Sequence, residues 1–365
     1  MALRGETAIA APDPAFAANE LALAERHRVV PLLAFAGPPD LRGAVRRRVL
    51  ALAQQTVRLE QELAAIAGVL SAAGVQFLVL KGPAMARQAY PAPEWRAYDD
   101  LDLWVETCDF GAALRALEQA GYRRTQPLGE RAAACARRAG IEAALTHPER
   151  GRLVEVAHGR RALAPTGRAA REVLAAAAPL EIAGARIRAP APGHALLLAC
   201  AHGAHHRWDR LGWVADVAGL WRRLSPAERE AACRAARRWC AETALGLGLR
   251  LAAEHIDLEL AGRAAALANA PRATALFRRV RLEDIACDSL RAPMIDRLRF
   301  ERDAQDSVWR RLRTMAGWIF VPTLGDIEAV PLPAALYPLY AAIRPLRLLR
   351  HPWLRDWRKP PARDE

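Results

Sequence analysis

Lysine is almost missing from this chain: of 53 basic residues among 365, only Lys81 and Lys359 are lysine, and arginine carries the rest of the positive charge. Cysteine is sparse as well. The six present, Cys108, Cys135, Cys200, Cys233, Cys240 and Cys287, never fall in CxxC spacing, which argues against a sulfur-held metal and fits reduced thiols in a cytoplasmic protein. No apolar run approaches the roughly 20 residues that a membrane-crossing helix needs. The most apolar stretches, 193–204 and 329–343, are too short or carry prolines. Residues 1–14 have no uninterrupted apolar core and do not read as a secretion signal. An internal repeat is absent, and so is any long stretch depleted of apolar side chains, so neither a solenoid nor a disordered chain is expected.

What is present describes a globular protein, with 52% hydrophobic and 25% charged residues and enough length for two or three domains. The formal net charge of +13 raises the question of a nucleic-acid or other anionic partner. The arginines, however, come in short groups spread along the chain, such as Arg46-Arg47-Arg48, Arg137-Arg138, Arg222-Arg223 and Arg310-Arg311. Dispersed pairs of this kind read as solvated helix faces rather than one binding stripe, so nucleic acid is not an expected partner. Against that background Lys81 is informative. It sits in a glycine turn, where a compact ammonium can approach a phosphate as a point charge and a planar guanidinium would not fit.

Helical spacing of apolar residues covers 16–35 and 41–73, with Pro38-Pro39 between them. A short buried strand follows at 75–80. Lys81-Gly82-Pro83 then turns the chain into a helix running to Tyr90, with Pro83 at its first position. The alternation from 98 to 105 predicts a second strand, on which Asp100 and Asp102 share one face while Leu101 and Leu103 face a core. Helices at 109–120 and 130–139 flank a strand at 122–126. A hairpin, 142–146 and 152–156, turns through His147-Pro148-Glu149-Arg150-Gly151 and carries Glu155 on its second arm. A helix at 167–178 and a small hairpin about Gly184 lead to the linker Pro190-Ala191-Pro192. Beyond it the sequence is mostly helical to about Trp318, including 194–206 and 211–224, and the prolines from Pro322 onward predict an irregular tail with one short helix.

The expected fold class is therefore α+β. A flexible N-terminus (1–14) precedes a domain with long N-terminal helices and a small mixed sheet with flanking helices (15–190), then a helical domain (191–318) and a C-terminal tail packed on the body (319–365).

Strand, glycine turn, short helix and a strand bearing Asp-x-Asp form an order with a chemical purpose. Two carboxylates on one strand face can hold a hard divalent cation through oxygen, and Mg²⁺ takes a few carboxylates together with water and substrate phosphates. The preceding turn offers backbone donors and a helix N-terminus to a phosphate chain. Glu155, on a neighbouring strand, is placed to be the third carboxylate.

The residues Val79-Leu80-Lys81-Gly82-Pro83-Ala84-Met85-Ala86, then Tyr90, Arg96 and Asp99-Asp100-Leu101-Asp102-Leu103-Trp104-Val105, resemble the bacterial family of uncharacterised nucleotidyltransferases within the polymerase-β-like superfamily. The likeness continues through His202-Gly203-Ala204-His205-His206-Arg207-Trp208, Trp213 and Asp216, and into Pro322-Thr323, Asp326 and Arg344-Pro345-Leu346-Arg347-Leu348. It implies a polymerase-β-like nucleotidyltransferase domain that moves a nucleoside monophosphate from a nucleoside triphosphate, ATP being the expected one, to a hydroxyl acceptor with release of pyrophosphate. The acceptor would be a small molecule, a peptide or a protein, and some members accompany gene clusters for ribosomally made peptides such as lasso peptides. In this reading Asp100, Asp102 and Glu155 are catalytic and bind Mg²⁺ or Mn²⁺, while Lys81, Gly82, Arg96, His206 and Arg207 contact the nucleotide. The alternative is an accessory protein that keeps the fold and holds a nucleotide or peptide without catalysis.

Two departures from the family pattern stand out. The family places a His two residues after the third-strand carboxylate, whereas Glu155-Val156-Ala157-His158 has one extra residue, so that His158 is expected to face away from Glu155. The usual second small residue of the turn is Pro83, which has no N–H to offer. Elsewhere, His202, His205 and His206 fall at i, i+3 and i+4 on one helix, a spacing read as packing or substrate contact in preference to zinc. His206, Arg207 and Trp208 are expected to line the cleft opposite Asp100. Asp216 reads as a buried partner for an Arg or His, and Arg96 as either a phosphate contact or a partner of Asp99.

Overall fold

The computed structural model describes residues 14–36, 39–159, 166–280 and 294–350. The flexible N-terminus expected over 1–14 lies outside them except for Pro14, as does the end of the tail. The chain opens with α1 (Pro14–Arg26), α2 (Val30–Ala36) and the 34-residue α3 (Pro39–Ala72). A single helix was expected over 16–35, and the structure divides it. Arg28 adopts a left-handed φ of 58°, and the break is held from outside: the N–H of Leu211 donates to Nδ1 of buried His27 at 3.0 Å, and that of Gly212 to the His27 carbonyl at 3.0 Å. Pro31, the second residue of α2, marks this break in the sequence, and the tertiary contact holds it.

Strands β1 (Phe77–Val79), β2 (Asp100–Val105), β3 (Arg123–Arg124), β4 (Ala143–Thr146) and β5 (Leu153–His158) form one mixed sheet in the order β1-β2-β5-β4-β3. The β2–β5 pair is parallel, and the other pairs are antiparallel. Helices α4 (Pro83–Ala89), α5 (Phe110–Gln119), α6 (Glu130–Ala139) and α7 (Gly167–Ala175) surround it, and a small hairpin, β6 (Ala178–Ile182) with β7 (Ala185–Ala189), follows. Alternation sorts β2 into two faces. Leu101, Leu103 and Val105 are buried with Leu59, Leu63, Ile66 and Leu70 of α3, whereas Trp104, on the Asp100 and Asp102 face, joins a separate core shared with the helices beyond the linker.

Those helices are α8 (Pro192–His205), α9 (Leu211–Arg223), α10 (Pro226–Trp239), α11 (Glu242–Ile256), α12 (Gly262–Ala268), α13 (Pro271–Phe277), α14 (Met294–Asp303) and α15 (Val308–Phe320). Glycines set how closely they approach. A Cβ at Gly203 or Gly248 would stand 2.7 or 2.9 Å from the ring of fully buried Trp208, and one at Gly219 would stand 2.3 Å from the Ala89 carbonyl oxygen. The last contact presses α9 onto α4, the helix that leaves the Lys81-Gly82 turn.

The C-terminal segment is more helical than its prolines suggest, with α16 (Leu324–Ala329), a 3₁₀ turn (Ala334–Leu339) and α17 (Tyr340–Arg350), the last two enclosing Pro338 and Pro345. Tertiary bonds offset the missing N–H groups. Buried Tyr340 donates to the Val330 carbonyl, and Arg344 and Arg347 both bind Asp326, the latter through Nε at 2.8 Å. No helix among the described residues is long and apolar enough to cross a membrane.

Candidate active site

The sheet register brings the expected carboxylates together. Asp102 lies directly across the parallel pair from Glu155, and Asp100 is two residues before Asp102 on the same face. The Leu80 N–H donates to the Asp102 carbonyl at 3.0 Å, pinning the turn to β2 and leaving Lys81 Nζ 3.6 Å from Asp102 Oδ1. Gly82 has φ 53°, and a Cβ there would stand 3.2 Å from the Asp100 carbonyl oxygen, so the turn needs glycine for both its backbone angle and its fit. The helix end it opens offers few free donors: Pro83 has none, the Ala84 N–H donates to the Lys81 carbonyl at 3.2 Å and that of Ala86 to the Gly82 carbonyl at 3.0 Å. This makes the Lys81 ammonium the main positive group beside the carboxylates.

A fourth carboxylate joins them. Glu142 precedes β4, where Ala144 pairs with Glu155, so alternation carries Glu142 to the same face, and it lines the same cavity as Asp102 and Glu155. The group is short of positive charge. Burial, then repulsion from Glu142, Asp102 and Asp100, pushes the Glu155 carboxyl up to about 7. Burial and the Asp102 charge also raise Glu142, and burial with Asp102 and Asp99 raises Asp100.

The cavity, about 950 Å³, runs from this face to α8 and α9. His202 and His206 line its far wall with Trp213, each imidazole centroid 5.0 Å from the indole. Burial first, and then neighbouring cations, holds both imidazoles neutral: His206 is pushed down to about 3, and His202 is well below its usual value. Arg96 also lines the cavity, but its Nε and Nη2 donate to Asp216 at 2.8 and 3.0 Å, and Tyr90 Oη donates to the same carboxylate at 2.8 Å. Asp99 pairs instead with Arg28 at 2.9 Å.

Two expected neighbours of the site are arranged differently. Arg207 and Trp208 do not line this cavity. Both have φ 58°, a left-handed turn that swings the chain at the end of α8 and drops the Trp208 ring into the core against Gly203 and Gly248. His158 faces away from Glu155, as its spacing suggests, buried against Phe110 with ring centroids 4.0 Å apart. Ala157 takes the place two residues after Glu155 on the cavity side.

As a donor set these side chains are all oxygen, which suits a hard divalent cation, and their mutual repulsion is the imbalance such a cation relieves. Among the described residues, no three His, Cys, Asp or Glu side chains already converge as a metal cluster.

Among solved structures, the chain is similar to an antigenic nucleotidyltransferase-like protein from Paracoccidioides brasiliensis, at 14% identity over 50% of this chain and 88% of that one, with a TM-score of 0.34. No curated protein matches it. The model of one family, described as uncharacterised nucleotidyltransferase, matches residues 17–257, well over half of the chain and all of the segment that builds the carboxylate face and its opposite wall. The chain belongs to this uncharacterised nucleotidyltransferase family.

Proposed function

We propose that the protein transfers a nucleoside monophosphate from a nucleoside triphosphate to a hydroxyl of a small-molecule, peptide or protein acceptor, releasing pyrophosphate. The observation that carries this reading is the register of Asp102 opposite Glu155, with Asp100 on the same face and Lys81 at 3.6 Å from Asp102. Asp100, Asp102 and Glu155 would hold Mg²⁺ or Mn²⁺, which when bound supplies charge neutralisation for the phosphates. Lys81 neutralises the departing pyrophosphate end as a point charge, a role that the donor-poor start of α4 leaves to it. His202, His206 and Trp213 offer an uncharged, partly aromatic wall for the rest of the nucleotide, and Arg96 contributes by fixing Asp216 and the loop before β2. Positioning and electrostatics account for most of the rate in such chemistry.

The test is incubation with each labelled nucleoside triphosphate and Mg²⁺ or Mn²⁺, with cell extract as the acceptor source, following pyrophosphate release and labelled product. Release that disappears in Asp102→Asn, with the circular dichroism spectrum unchanged, supports the proposal. Unchanged turnover in that variant overturns it. No release with any nucleotide favours the accessory-protein reading, whose support is Ala157 in the place of the family histidine and Pro83 in the turn.

A further inference from the structure

Eleven large apolar side chains stand exposed among the described residues, and nine of them lie between Val308 and Leu349. Helix α15 accounts for the pattern. Val308, Trp309, Leu312, Ala316, Ile319 and Phe320 are exposed at spacings that fall on one helix face, while Arg310 points inward and donates to the Trp239 and Cys240 carbonyls at 2.6 and 3.0 Å. The helix therefore sits with its apolar side outward, the reverse of an ordinary surface helix. Helix α17 packs beside it, tied by Arg344 Nε to the Trp318 carbonyl at 2.9 Å, and adds Leu346 and Leu349.

The charges around this face are mostly positive. From Val308 to Arg350 there are six arginines against Asp326 and Glu328; Arg310 points inward and Asp326 is bound by Arg344 and Arg347. We propose that this face docks on an anionic lipid bilayer, with Trp309, Leu312 and Leu349 entering the headgroup boundary and Arg350 meeting lipid phosphates. Two observations favour lipid over protein. Exposures of 82% for Trp309, 72% for Leu349 and 65% for Val308 describe a protruding ridge rather than a groove that receives a peptide. A second copy would bring the same arginines together on molecules that each carry +13. The inference does not depend on nucleotide chemistry. It bears on it, because Thr314 and Trp318 of the same helix line the cavity.

The experiment is flotation of the full chain with vesicles of phosphatidylcholine alone and of phosphatidylcholine with phosphatidylglycerol. The expected result is binding to the anionic vesicles only, weakened by added salt. Trp309→Glu and Arg350→Glu should each lower the partition coefficient about tenfold with thermal melting unchanged. Trp309→Ala, which adds no charge, should lower it several-fold and guards against a misfolded variant. Failure to float with either vesicle, equal binding to neutral vesicles, or a sedimenting dimer that Trp309→Glu disrupts would each overturn the assignment.

Discussion

Arg96 and Asp216 stand 120 residues apart in the chain and meet through two hydrogen bonds, Nε to Oδ1 at 2.8 Å and Nη2 to Oδ2 at 3.0 Å. With Tyr90 donating to the same carboxylate, this pair fastens the loop before β2 to α9 across the cavity. The side chains are only 13% and 5% exposed, so breaking the pair leaves a buried charge without its partner. Asp216→Asn should destabilise the protein by about 3 kcal/mol, read as a lowered urea midpoint. If nucleotidyl transfer survives, its loss should exceed what the unfolded fraction explains, because the β2 loop is released.

Gly219 is where α9 touches the backbone of α4. A Cβ there would stand 2.3 Å from the Ala89 carbonyl oxygen, which a rigid helix backbone cannot avoid without moving. Gly219→Ala should therefore destabilise by roughly 2 kcal/mol in spite of alanine's better helix propensity. A thermal melt within a degree of the wild type would show that α4 yields freely.

The carboxylate face holds more negative charge than the protein alone compensates. Glu155→Gln in chelator-treated protein at mildly alkaline pH should raise stability by about 1 kcal/mol, while removing transfer. Addition of Mg²⁺ should raise the melting temperature of the wild type more than that of the variant. A variant less stable than wild type without metal would mean that repulsion at this face is negligible.

Glu172 joins α7 to α10 through hydrogen bonds from Arg238 Nη2 at 2.8 Å and Trp239 Nε1 at 2.9 Å, with Arg168 Nε at 3.1 Å on its own helix. Chiefly through Arg238, these bonds bring its carboxyl down to about 2 from an ordinary 4.5. A depressed carboxylate contributes stability that is complete above the unfolded value and is lost as pH falls through the folded one, here between about 4.5 and about 2. At a position partly open to solvent the contribution should be about 1 kcal/mol. Stability curves of wild type and Glu172→Gln should converge on acidification and separate above pH 4.5.

Much of the site was legible because a strand's period of two is strict. Asp100 and Asp102 could be assigned to one face from alternation, and the Lys81-Gly82 turn from the rarity of lysine and the need for glycine, whereas the β2–β5 register is what sets Glu155 opposite Asp102. Glu142 lies in the expected hairpin, but only pairing with β5 shows which carboxylates converge. Asp216 could be read as buried and paired, but not with which arginine.

The chain's own pattern determined its local order: helices from apolar spacing, turns from glycine and proline, the α+β succession and the carboxylates that share a strand face, all properties of residues within a few positions of one another. Tertiary structure alone decided the rest. The withdrawal of Arg207 and Trp208 from the cavity, the union of Arg96 with Asp216 and the outward apolar face of α15 each depend on which distant surface a segment meets. A helix can bury either of its sides, and only the packing of the whole molecule chooses between them.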